Sequence, residues 1–93
     1  MPSRTVTLDA NGNAYVPFFT IRVYLILVKN PFSGAMVVNM GAGNQVIDAG
    51  NSRTFVGEDL TNFNGYIEIS GGSPNLTIEV FYETYQKRRV GFF

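Results

Sequence analysis

The chain has 93 residues, 45% of them hydrophobic and 15% charged, with seven Lys and Arg balanced by seven Asp and Glu. It contains no Cys, His or Trp, which removes disulfide frameworks, zinc fingers, imidazole metal sites and Cys–His or Ser–His–Asp catalysis. Length allows one domain. By size scaling its folded surface is roughly 5,400 Å² against about 15,000 Å² unfolded, enough burial for a single thin core.

The first strand signal is Arg4–Leu8, with Val6 and Leu8 on one face. Asn11-Gly12 then marks a turn, because both residues tolerate positive φ. Ala14–Val16 returns as a second strand, stopped by Pro17. Ile21–Lys29 is the strongest strand. Strict alternation puts Ile21, Val23, Leu25 and Leu27 on one face and Arg22, Tyr24, Ile26 and Val28 on the other. The second face begins polar and ends apolar, the mark of a strand half-exposed at its start and covered on both sides at its end. Asn30–Gly34 is a turn. Ala35–Met40 follows, with Met36, Val38 and Met40 opposite Val37 and Asn39, and Gly41–Asn44 breaks it.

Gln45–Asp48 is brief, and Ala49-Gly50-Asn51 turns into a strand over Ser52–Val56. Gly57–Asn64 is a polar loop with room for one helical turn. In Gly65–Ser70 the isoleucines 67 and 69 point inward, and Tyr66 and Glu68 point outward. After the loop Gly71–Asn75, Leu76, Ile78, Val80 and Tyr82 alternate with Thr77, Glu79, Phe81 and Glu83. Seven or eight short strands with turn signals between them predict an all-β, single antiparallel sandwich or barrel. The predicted core includes Val23, Leu25, Ile67, Ile69, Ile78 and Val80. The domain spans residues 1–85, and residues 86–93 form a separate basic and aromatic C-terminal arm.

The balanced charge argues against nucleic acid as the main ligand, which needs a basic face. It also gives a free monomer little colloidal protection. Eight Phe and five Tyr are hard to fit into one thin core, and aromatic residues are enriched where subunits meet. A homo-oligomer is the expectation. The beginning of the sequence has no apolar signal core, so no secretory signal is expected. The longest apolar run, Ile21–Val28, contains Arg22 and falls far short of the ~20 residues that span a bilayer.

Motifs for chemistry are sparse. Gly41-Ala42-Gly43-Asn44 lacks the third glycine and the following helix of a dinucleotide-binding loop, so it reads as a strand-connecting turn. Asp48 with Glu58 and Asp59 supplies the best carboxylate group for a hard cation or for acid–base work. An adjacent pair in a polar loop reads better as a solvated loop or cap. No catalytic residue, metal site or cofactor is expected. The informative segment is the tail, where Lys87, Arg88 and Arg89 precede Phe92 and Phe93. It reads as a docking arm, with the rings in apolar pockets of a neighbour and the cations on acidic or phosphate groups. Contact with packaged nucleic acid and a frayed terminus are the alternatives.

From Val23 to Tyr82 the chain resembles small β-sandwich structural proteins of bacterial-virus particles, of the decoration (cement), vertex or spike-base type. The segments that carry the resemblance are VYLILVKNPFSGAMVVNMG, DAGNSRTF and GYIEISGGSPNLTIEVFYE. The resemblance implies a jelly-roll-like fold, a non-enzymatic role in the virion capsid, and partners that are copies of the chain and a viral shell protein. It brings no catalytic residues and does not extend to the arm. A carbohydrate- or small-ligand-binding module is the alternative, which an exposed aromatic beside Asn or Asp in one concave site would favour. A single-strand nucleic-acid binder of the OB type is a third.

Overall fold

A computed structural model describes residues 2–18, 22–41, 43–60 and 63–84. Eight strands run in chain order: β1 (Ser3–Thr7), β2 (Ala14–Pro17), β3 (Val23–Lys29), β4 (Met36–Asn39), β5 (Asn44–Ile47), β6 (Ser52–Val56), β7 (Tyr66–Ser70) and β8 (Thr77–Thr84). One 3-10 turn, Gly57–Leu60, follows β6 in the loop where the sequence left room for a helical turn. All eight strands fall where alternation and turn residues put them, with boundaries shifted by a residue or two.

The strands form two four-stranded sheets. Sheet A has the order β1-β8-β3-β6 and sheet B the order β2-β7-β4-β5. Every pairing is antiparallel. The two sheets pack face to face, so the protein is an all-β sandwich. First pairs with last (β1 with β8), second with seventh, third with sixth and fourth with fifth. The chain is thus one long antiparallel ribbon wrapped into two layers.

The core lies between the layers. Ile26, Val28, Phe55, Ile78 and Val80 come from sheet A; Val16, Met36, Val38, Ile67 and Ile69 come from sheet B; Leu8, Phe18 and Met40 close the ends. Arg4 sits on the inner side of edge strand β1. Its guanidinium lies 4.4 Å from the centroid of the Phe18 ring and 5.7 Å from that of Tyr82, and donates to the Pro17 carbonyl. Its cation thus lies over two rings at the edge of the sandwich.

Two side-chain expectations are corrected. A register shift in β3 between Val23 and Leu25 inserts a bulge, and a bulge reverses which side chains face inward. Val23 remains buried, but Ile26 and Val28 supply the rest of the core contribution, and Leu25 and Leu27 lie half-buried on the outside. Leu25 is therefore not a core residue; Ile67, Ile69, Ile78 and Val80 are. Leu76 is 53% exposed, because it belongs to the turn that precedes β8 rather than to the strand. Ile21 lies outside the described residues.

Loops at one end of the sandwich are tied together by polar groups. The Asp9 carboxylate accepts from the backbone N–H of Asn11 and Asn13 at 2.8 and 2.9 Å. The Asp9 carbonyl accepts from Gly12 and Asn75. Gly12 has φ +78°, and its carbonyl accepts from Gly72. Asn30 is buried to 1% exposure. Its side-chain amide donates to the carbonyls of Gly34, Ile47 and Asp48, while its oxygen accepts from the Phe32 N–H. One side chain thus joins the β3–β4 turn to the β5–β6 turn, with every buried side-chain polar atom among the described residues satisfied.

Candidate functional site

Alternation of side chains along each strand gives the sandwich two outer faces with different chemistry. On sheet B, cross-strand register sets Tyr15 opposite Glu68, Glu68 opposite Asn39, and Asn39 opposite Asn44. These four side chains form one row across all four strands. The Asn39 amide donates to the Asn44 side-chain oxygen at 3.0 Å, and the Asn39 oxygen accepts from the Gly41 N–H at 2.8 Å. Asn44 is exposed. Tyr15 is 53% exposed, and its ring packs on Tyr66 with centroids 5.0 Å apart. Asp9, Asn13, Tyr15, Asn39, Asn44 and Glu68 line an open cleft of about 400 Å³. Around the β2 edge a second open cleft of about 480 Å³ runs between β1 and β2.

The outer face of sheet A is different. Phe81 stands opposite Leu27, and Leu25 stands opposite both Val56 and Glu83. Leu25, Leu27 and Phe81 are half-buried and Val56 is 43% exposed. The four apolar side chains occupy two adjacent rows. Two carboxylates share this face: Glu83 stands in the row of Leu25 and Val56, and Glu79 lies two positions from Phe81. Lys29 lies on this face, 4.9 Å from the Phe81 ring centroid.

The sequence-predicted carboxylates are not brought together. Asp48 follows β5, in the turn where the Asn51 N–H donates to its carbonyl. Glu58 and Asp59 lie at the far end of β6, and the Asp59 carboxylate accepts the Val56 N–H at 3.1 Å. Asp59 thus caps a strand end. Among the described residues no group of three or more Asp or Glu converges closely enough to hold a metal ion. Gly41–Asn44 joins β4 to β5 with Gly41 and Gly43 at positive φ, and a strand follows it, not a helix. Lys87, Arg88, Arg89, Phe92 and Phe93 lie outside the described residues. No helix among the described residues is long and apolar enough to cross a membrane.

Neither outer face is legible as a unit in the sequence. Outward positions of Glu68 and Asn39 follow from alternation, but their shared row depends on β7 pairing with both β2 and β4. The sheet A patch had one sequence signal, the presence of apolar residues on both faces of Val23–Val28. Comparison of the chain with models of protein families, with curated proteins and with solved structures finds no match.

Proposed function

We propose that the protein is a non-enzymatic structural component of a virus particle, a capsid decoration, vertex or spike-base protein that acts through subunit–subunit contacts. The observation that carries this reading is the wrap of the ribbon. Pairing first with last and so inward to fourth with fifth, in two sheets of four, supports a jelly-roll-like reading, a form used by viral capsid and lectin domains. Fold alone does not assign function. The outer faces and the composition supply the second support: an apolar patch on sheet A, low charge, and more aromatics than the core uses. The carboxylates cap and solvate loops, consistent with contact rather than turnover.

The test is physical association. Mass spectrometry of nuclease-treated, density-banded particles from cells carrying the gene should find the chain in fixed ratio to a shell protein. Its complete absence from banded particles would reject the virion role.

The row on sheet B favours one second reading, a carbohydrate-binding module. An exposed tyrosine offers a stacking face for the C–H side of a sugar ring, and Glu68, Asn44 and Asn13 present acceptors and donors for its hydroxyls. A glycan array followed by NMR titration tests this directly. Saccharide binding by a monomer, abolished by Tyr15→Ala with the fold intact, would establish this reading over the first.

A further inference from the structure

We infer that the C-terminal arm, residues 86–93, binds the outer face of sheet A on a second copy of this chain, with Phe92 and Phe93 on the Leu25–Leu27–Val56–Phe81 patch. The inference rests on the assembly reading above and names its contact. Three observations carry it.

The first is chemical complementarity. The arm is Lys87-Arg88-Arg89-Val90-Gly91-Phe92-Phe93, cations followed by rings. The receiving face is an apolar quartet with Glu83 in the row of Leu25 and Val56 and Glu79 beyond Phe81. Arginine and lysine on carboxylates give charge-assisted hydrogen bonds. Two phenylalanines can each bury about 150–250 Å² on such a patch.

The second is reach. The arm leaves the end of β8 at Thr84. The nine residues beyond Thr84 span about 30 Å when extended, while crossing four strands takes roughly 14 Å at the usual strand spacing. The arm is long enough to leave its own domain and cross a neighbour's sheet.

The third separates a second copy from the arm's own domain. Glu83-Thr84-Tyr85-Gln86-Lys87-Arg88-Arg89-Val90 contains no Gly, Pro, Asn or Asp, the residues that reverse a chain. Phe81 lies only three residues before Thr84, so folding back onto the same patch requires an immediate reversal that this sequence does not favour. An arm that continues outward meets the same patch on another molecule. If each arm reaches a successive neighbour, the contact is head-to-tail and closes into a ring when the rotation permits.

The absence of cysteine from the chain makes the test clean. One full-length sample carries Phe92→Cys and a second carries Val56→Cys. An equimolar mixture at micromolar concentration under mild oxidation should give a disulfide-linked heterodimer on a non-reducing gel. A mixture of Phe92→Cys with Tyr15→Cys, on sheet B, should give only background. Adding Leu27→Asp to the receiving chain should lower the yield about tenfold, because it puts a charge against the incoming rings. Circular dichroism of that variant confirms that it folds. Equal linkage at positions 56 and 15, no linkage above background, or an intrachain disulfide as the main product of a chain carrying both Phe92→Cys and Val56→Cys would overturn the inference. Sedimentation velocity of the unmodified chain separates the two proposals. An oligomer without 56–92 linkage removes the arm contact and leaves the assembly reading standing.

Discussion

Asn30 offers the sharpest test of how the loops are held. Its buried amide serves the carbonyls of Gly34, Ile47 and Asp48 at 2.9, 2.8 and 3.2 Å. Asn30→Ala removes these donors together with the acceptor for the Phe32 N–H. A typical hydrogen bond contributes about 1 kcal/mol net, and a buried group left unpaired costs about 1–3 kcal/mol. With the bonds to the exposed Gly34 and Asp48 only part-buried, the expected loss is about 2–4 kcal/mol. For a domain of this length the total is on the order of 5–14 kcal/mol. Asn30→Asp keeps the shape but turns the donor end into an acceptor that faces three carbonyl oxygens. Burial and those oxygens disfavour the charged form, so the new carboxyl titrates higher in the folded state than its unfolded value of about 3.9. The sign follows: the folded state binds the proton more tightly, so stability is greatest below the unfolded value and falls as pH rises through the folded one. Urea denaturation of the wild type, Asn30→Ala and Asn30→Asp from pH 3 to pH 7 measures this. The aspartate variant should approach the wild type in acid and fall to or below the alanine variant at neutral pH. Both variants within about 0.5 kcal/mol of the wild type throughout, or an aspartate penalty independent of pH, would refute the reasoning.

The bulge in β3 predicts that Ile26→Ala costs about 2–5 kcal/mol while Leu25→Ala on the outer face costs less than about 1 kcal/mol; the reverse order in chemical denaturation would mean the register is wrong. Ile78→Ala should fall in the same range as Ile26→Ala, checked in the same experiment. A methyl on Gly12 would be driven into the Gly72 carbonyl oxygen, whereas a methyl on Gly50 meets nothing within 4 Å. Gly50→Ala should therefore cost only the backbone strain of positive φ, roughly 1 kcal/mol, and Gly12→Ala clearly more, read as a difference in melting temperature. Asp59→Ala should lose about 0.5–1.5 kcal/mol with its hydrogen bond to the Val56 N–H, while Asp48→Ala and Glu58→Ala stay within about 0.5 kcal/mol. A hydrolytic activity lost in any of the three would contradict the non-enzymatic proposal.

Local rules determined the element list. Alternation in Ile67–Ile69 and Ile78–Val80, and turn chemistry at Asn11-Gly12, Gly41–Asn44, Gly50-Asn51 and Gly71–Asn75, place eight strands and the inward side of most of them. These signals are local because side-chain direction repeats every two residues and turn φ angles depend on one or two residues. The absence of His and Cys is likewise a property of the sequence, and so are the cations and rings of the arm. Pairing between distant strands is not local. Only the tertiary structure set β7 between β2 and β4, which lines up Tyr15, Glu68, Asn39 and Asn44, and set β3 between β8 and β6, which collects Leu25, Leu27, Val56 and Phe81 on one outer face. It also decided the bulge after Val23. With apolar side chains at nearly every position from Val23 to Val28, both faces satisfy a hydrophobic pattern, and packing against the opposite sheet chooses between them. Asn30 shows the same division: the sequence marks it as a turn residue, but its burial under three carbonyls arises because the wrap brings the β5–β6 turn against the β3–β4 turn.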